Sequence, residues 1–326
     1  MIFNAYRLLK ESGVSRGSLI KTTLDELDSG DLVVKTAYAG VNFKDALAAT
    51  GRAPIIRRFP CIGGIEAVGE VVESGSDAYQ PGDAVILHGR GLGVSHDGGF
   101  SEYVRVPADW AVPLPTGLNM QEAATLGVAG HTAAVAIDLM ELNGLTPERG
   151  PVAVTGATGG VASLSIDMLS GLGYEVAAVS RKTESHSYLR SLGARQVISA
   201  PASDASARPL ESAQWGGAVD AAGGHMLAWL LRTMAPKGTI ACFGNAAGIE
   251  LHTTVLPFIL RGVRLLGVNA DTEPGHRRRV WARIAGDLKP RHLAVIATSI
   301  TLDELPRVCE LMAEGRTTGR YVVRFD

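Results

Sequence analysis

Six residues near the middle of the chain, Gly156-Ala157-Thr158-Gly159-Gly160-Val161, restrict its fold more than any others. They follow the continuous apolar run Val152-Ala153-Val154-Thr155 and precede a stretch whose Val161, Leu164, Ser165, Met168 and Leu169 share one helical face. A strand that turns through glycines into a helix is a unit of a parallel α/β sheet. Glycine lets the backbone approach a ligand closely, and the helix N-terminus offers free N–H donors with a partial positive charge. These features suit a pyrophosphate, so the turn reads as the cradle of a dinucleotide, with Thr158, Gly159, Gly160 and Val161 as its contacts. The spacing is Gly156-x-x-Gly159-x-x-Ala162 rather than Gly-x-Gly-x-x-Gly, and Ala162 still leaves room for helix and strand to pack. The competing reading is a plain glycine turn in an unrelated α/β protein.

Which dinucleotide is decided at the end of the next strand, about twenty residues on. An NAD site carries a carboxylate there for the ribose hydroxyls, whereas a 2′-phosphate needs cationic donors. The chain has Val179-Ser180-Arg181-Lys182, with no carboxylate before Glu184. Ser180 can donate to a phosphate and Arg181 and Lys182 can neutralise it, which points to NADPH. The alternative is that the two cations are a solvated helix start.

Around this unit the patterning changes twice. The first third alternates short β-branched runs with Gly, Pro and Asp: Leu32–Tyr38, Ala67–Glu73, Ala84–Leu87 and Ser101–Val106 read as strands. From about Met120, apolar strands at Val152–Thr155, Glu175–Val179, Gln196–Ile198, Ala218–Asp220, Thr239–Phe243 and Leu265–Val268 alternate with helices, including Gly160–Leu172, Lys182–Leu192 and His225–Met234. After about Leu293 the β character returns and ends in Arg320–Phe325. The expected organisation is a β-rich domain of residues 1–119 and 293–326, with a doubly wound parallel-sheet domain, 120–292, inserted between its parts. Residues 201–207 read as a small-residue surface loop.

Composition excludes several classes. Apolar residues make up 46% and charged residues 20% of 326, enough apolar material for two cores. The net charge of −2 leaves no basic field for nucleic acid or an anionic membrane. The N-terminus lacks a basic and then apolar leader, and no run reaches the ~18 apolar residues of a membrane span, so a cytoplasmic location is expected. Cys61, Cys242 and Cys309 lie far apart, which fits buried thiols rather than a disulfide framework or a zinc cage.

The strings Gly63-Gly64-Ile65-Glu66-Ala67-Val68-Gly69-Glu70-Val71, Pro81-Gly82-Asp83-Ala84-Val85, Gly98-Gly99-Phe100-Ser101-Glu102-Tyr103 and Ala123-Ala124-Thr125-Leu126-Gly127 resemble the medium-chain dehydrogenase/reductase superfamily. That resemblance implies a GroES-like β-rich partial barrel plus a Rossmann domain, with the active site in the cleft between them. In the superfamily's zinc enzymes a Cys, a His and a Cys hold the metal, at positions that align with Asn42, Ile65 and Val128 here. None of the three can replace a thiolate or an imidazole, so no catalytic zinc is expected, and the four-cysteine structural lobe is missing. His88, His96 and His131 read as ordinary polar residues. Further strings, Val41-Asn42-Phe43-Lys44-Asp45-Ala46-Leu47-Ala48, Tyr188-Leu189-x-Ser191-Leu192-Gly193-Ala194 and Thr253-Thr254-Val255-x-Pro257-Phe258-Ile259-Leu260-Arg261, are similar to the acrylyl-CoA reductase (YhdH-like) group of zinc-free quinone-oxidoreductase relatives. That group has Tyr where this chain has Phe43, which can stack beside a nicotinamide but has no hydroxyl.

The resemblance implies NADPH-dependent hydride attack on an activated double bond, that of a short enoyl-CoA and acrylyl-CoA first. Asn42, Lys44 and Asp45, on the loop of the first lost metal ligand, are the catalytic candidates. Phe43, Asn245, Ile259 and Ala270 join the cofactor contacts. Coenzyme A is polyanionic, so Arg52, Arg57, Arg58 and Arg90 are candidate substrate cations. The same chemistry serves quinones and enones, which leaves a quinone or enone oxidoreductase open, and beside it a non-catalytic NADPH-binding protein. Leu265-Leu266-Gly267-Val268 is a candidate edge for a homodimer.

Overall fold

A computed structural model describes residues 1–202 and 208–326; residues 203–207, within the loop expected at 201–207, lie outside the described residues. The first strands are β1 (Ile2–Glu11), β2 (Val14–Thr23), β3 (Leu32–Val41), β4 (Cys61–Ile62), β5 (Glu66–Ser74), β6 (Ala84–His88), β7 (Tyr103–Val106) and β8 (Ala111–Pro113). The middle of the chain supplies β9 (Val152–Val154), β10 (Val176–Val179), β11 (Gln196–Ile198), β12 (Trp215–Asp220), β13 (Met234–Cys242) and β14 (Arg264–Gly267). The last two are β15 (Ala297–Ile300) and β16 (Arg320–Arg324).

The chain divides into two compact units. The first comprises Met1–Val128, Asp271–Arg278 and Leu293–Asp326; the second comprises Ala129–Ala270 and Arg279–His292. In the first unit β2-β1-β4 form a small antiparallel sheet, and β15-β16-β3-β5-β6-β8 form a larger one in which β7 also pairs with β3. Both ends of the chain build one core here, where Tyr6, Leu8, Val41 and Phe100 cluster with Leu305, Cys309 and Val323. In the second unit the six strands are parallel in the order β11-β10-β9-β12-β13-β14. This is the doubly wound order, whose direction reverses between β9 and β12, and a ligand crevice forms beyond the carboxyl ends at such a switch point.

Three expectations are corrected. The loop expected to carry residues 43–45 is the first turn of helix α1 (Phe43–Thr50), with Asn42 as its N-cap. After Leu293 the chain is not simply β: a helix, Leu305–Ala313, intervenes, with its buried Leu305, Val308, Cys309 and Met312 at helical spacing. Residues 120–128 and 271–278 fall in the first unit rather than the middle one. The reason for the former is a break in helix α2 (Met120–Leu142), where Gly127 takes φ 46°, ψ −146°. That helix is also long and apolar enough to cross a membrane, with a mean hydropathy of 1.4, but 89% of the span is buried within the protein, as in a core helix.

Candidate active site

In the second unit, helix α3 (Gly160–Gly171) starts directly from the glycine turn. Gly156 has φ +59°, in the left-handed region that favours glycine, and the Gly159 N–H closes the turn on the Gly156 carbonyl at 2.8 Å. The first bond into the helix is Ser163 N–H to the Gly159 carbonyl, 2.8 Å, and among the described residues no side chain caps the N-terminus. The N–H groups of Gly160, Val161 and Ala162 therefore point out of the helix end, as an anion cradle requires. The Ala157 N–H reaches the Val179 carbonyl at 3.4 Å, which ties the turn to the end of β10.

Immediately after β10, the Ser180 hydroxyl accepts the Lys182 N–H at 3.0 Å, leaving its own hydrogen to donate. Arg181 is exposed and Lys182 half-buried. Burial pulls the Lys182 ammonium below its usual range, a cost that a phosphate beside it would offset.

Sequence reasoning missed Asp220. It ends β12 fully buried and accepts Thr155 Oγ1 at 2.6 Å and the N–H groups of Ala222 and Gly223 at 3.3 and 3.0 Å. Desolvation raises its pKa. Asp220 thus fixes the loop after β12 against the end of β9, at the switch point. An acidic residue closing the run Ala218-Val219-Asp220 before two glycines was the available signal. Asn245 is exposed in the loop after β13, backed by Gly223, while Ala270 follows β14. Ile259 lies on the helix Leu256–Arg261 rather than at a strand end, and is 68% exposed.

In the first unit, Asn42, Phe43, Lys44 and Asp45 are brought together by the start of α1. Phe43 and Lys44 are exposed, Asn42 is half-buried and Asp45 is buried. The Asp45 carboxylate accepts the Asn42 N–H at 2.9 Å on one oxygen and the Ile65 N–H at 3.0 Å on the other. It therefore joins two of the three positions at which the superfamily's zinc enzymes hold metal. Burial, reinforced by the Glu66 charge, outweighs those hydrogen bonds and pushes its pKa up to about 7.

The third position, Val128, donates its N–H to Glu66, which forms a buried ion pair with Arg320. Arg320 Nη1 also donates to Asn42 Oδ1 at 3.0 Å. The donor set does not suit a metal: among the described residues no three His, Cys, Asp or Glu side chains group to hold one. His96 bonds the carbonyls of Asp97 and Ser29 and lies against Trp110, and His131 packs its ring against Trp281. Cys61 and Cys309 are buried and Cys242 half-buried; burial raises all three thiols, so none offers a ready thiolate.

The arginines divide. Arg52 donates to the Ala313 carbonyl at 2.8 Å and faces Glu310 and Glu314. Arg58 pairs with Asp28, faces Asp97 and donates to the Ser95 carbonyl at 3.2 Å. Both cations are partly exposed and share their charge with these carboxylates. Arg57 is exposed. Arg90 takes φ +55° between two glycines, and its buried Nε has no hydrogen-bond partner among the described residues.

Residues 28–116 match the alcohol dehydrogenase GroES-like domain, and residues 160–285 match the zinc-binding dehydrogenase domain. The acrylyl-CoA reductase AcuI of Ruegeria pomeroyi is 42% identical over 99% of both chains. A putative quinone oxidoreductase, YhfP of Bacillus subtilis, is 43% identical over 94% of each. The crystal structure of the YhdH oxidoreductase from Salmonella enterica in complex with NADP superposes with a TM-score of 0.96 at 41% identity, covering 99% of this chain and 100% of that one. The structure of YhfP with NAD bound superposes equally well, at 0.96 and 41% identity over 100% of both chains.

Proposed function

The chain belongs to the acrylyl-CoA reductase (YhdH-like) group of the medium-chain dehydrogenase/reductases, and from that membership we propose that it reduces the activated double bond of a short enoyl-CoA, acrylyl-CoA to propionyl-CoA, with NADPH. The observation that carries this reading is the end-to-end match, at 42% identity, with an acrylyl-CoA reductase. The relatives include both NADP-bound and NAD-bound structures, so cofactor choice rests on this chain's own Ser180, Arg181 and Lys182. A hydroxyl donor and two cations with no carboxylate among them favour the 2′-phosphate. The outward N–H groups of Gly160 and Val161 would hold the pyrophosphate.

When bound, NADPH supplies a hydride for the β-carbon of the thioester. The chain's task is then to hold the alkene and stabilise the negative charge that develops on the thioester oxygen. Asn42 would donate to that oxygen through its amide nitrogen, and the exposed Lys44 would make the local potential positive. Asp45 holds the backbone of both Asn42 and Ile65 and so keeps the donor in place. Arg52, Arg57, Arg58 and Arg90 are the candidate cations for the coenzyme A phosphates, Arg52 and Arg58 at the expense of their present ion pairs.

A quinone reductase is the second reading, favoured by the 43% identity to YhfP. Steady-state rates with NADPH on acrylyl-CoA, crotonyl-CoA and a simple quinone separate the two. The proposal expects acrylyl-CoA to give the highest kcat/KM; turnover of the quinone with none of either thioester would overturn it. We also place the protein in the cytoplasm as a homodimer. The edge strand β14 and the exposed Val255, Ile259 and Leu260 support the pairing, and a light-scattering mass of a single chain would refute it.

A further inference from the structure

Arg320, on β16, and Glu66, on β5, are each only 2% exposed and form an ion pair. Removing two charges from water is costly, and a pair of apolar residues would often serve stability as well. The surrounding backbone nevertheless makes way for this pair. A Cβ added at Gly40 or Gly127 would collide with the Glu66 carboxylate, and Gly127 breaks helix α2 at that point. Glu66 uses its second oxygen to accept the Val128 N–H. The Arg320 guanidinium is committed on every side: Nε to the Thr125 carbonyl at 3.1 Å, Nη1 to the Val41 carbonyl and to Asn42 Oδ1 at 3.0 Å each, and Nη2 to Glu66.

The bond to Asn42 has a chemical consequence. A carboxamide has one accepting end and one donating end, and a guanidinium only donates. With Oδ1 taken by Arg320, the amide cannot flip without setting two donors against each other in a buried site. The Nδ2 end is thereby fixed as the donating end, away from Arg320. Among the described residues it makes a long contact, 3.4 Å to the Gly40 carbonyl, and an interaction with the Asp45 carboxyl, so a ligand oxygen would take an N–H in exchange for one of these.

We infer that Arg320, held by Glu66, is a positioning residue for the reduction: it locks the Asn42 amide so that this half-buried residue presents a hydrogen-bond donor, selecting substrates whose reacting group carries an accepting oxygen. The inference rests on the proposed role of Asn42. It extends equally to a thioester and a quinone, because both present such an oxygen.

The test is a double-mutant cycle on the full-length protein, reading kcat, KM for NADPH and Tm for N42A, N42D, R320K and N42A/R320K. Rates are taken on acrylyl-CoA and on a simple quinone, so loss of the thioester reading alone leaves the cycle measurable. N42D keeps a partner for Arg320 but replaces the donor with an acceptor. It is expected to lower kcat roughly 10²–10³-fold, with KM for NADPH little changed. R320K is expected to lower kcat in the wild-type background and to have no further effect on kcat once Asn42 is alanine, while lowering Tm by the same amount in both. A wild-type kcat for N42D, or an R320K effect on kcat of equal size in both backgrounds, would overturn the inference. Should R320K fail to fold, N42D alone still decides whether a donor at this position is needed.

Discussion

Asp45 holds two backbone N–H groups yet sits where its own charge is costly. Burial raises its pKa to about 7, against an unfolded value of about 3.9. Between those values the native state keeps a proton that the unfolded chain has lost. The contribution of Asp45 to stability is therefore full below about pH 4, falls as pH rises to about 7, and is level above. Urea midpoints of the wild type and D45N, followed across that range, should show the wild type losing ground to the variant between those limits; a constant difference would mean that Asp45 ionises as in the unfolded chain. At the cofactor end, replacing Arg181 and Lys182 by alanine should raise KM for NADPH at least tenfold and leave KM for NADH nearly unchanged, since each phosphate-bound cation contributes on the order of 1.5–3 kcal/mol. Equal effects on both cofactors would show that the two cations are merely solvated. The residues that act through simple chemistry, such as Ser180 and the glycine turn, were legible in sequence. Asp220, Glu66 and Arg320 were not, because Asp220 acts through Thr155, 65 positions away, and Glu66 and Arg320 through each other, 254 positions apart, pairings that only the fold supplies.

At the scale of elements, legibility followed burial. The inner strands β9, β10 and β12 of the parallel sheet are buried on both faces and read as continuous apolar runs, so their positions were expected to within a few residues. The N-terminal hairpin was missed: β2 is mostly exposed, and its Val14-Ser15-Arg16-Gly17 start gives no clear alternation. Its turn did carry a signal, Ser12-Gly13, which the structure shows with φ 50° and 86° between the paired Glu11 and Val14. Helix α1 was read as a loop because only eight residues carry it, although Asn42 and Asp45 have capping-box spacing. The break in α2 at Gly127 belongs to the same scale. G127A forces a side chain into the left-handed region and against Glu66, so it should cost about 1–3 kcal/mol. It should also lower kcat by displacing the Glu66–Arg320 pair. Thermal melts and steady-state rates check both; a stable G127A enzyme with normal turnover would show that the break serves neither.

For the molecule as a whole, two cores built from three and two chain segments explain why a single pass along the sequence placed the units better than their borders. The first unit closes only when the last strand, β16, pairs with β3, which brings Arg320 to Glu66 and Asn42. Catalysis by such an assembly reduces to one claim: hydride from NADPH reaches the β-carbon of an enoyl thioester whose developing charge is met by protein donors rather than by a metal ion. NADPH deuterated at the transferable position of its nicotinamide, incubated with acrylyl-CoA and chelator-treated protein, tests this most directly. The expected product is propionyl-CoA carrying one deuterium, at the β-carbon, formed at a rate unaffected by the chelator. Unlabelled product, label at the α-carbon, or activity that chelation removes and zinc restores would contradict it.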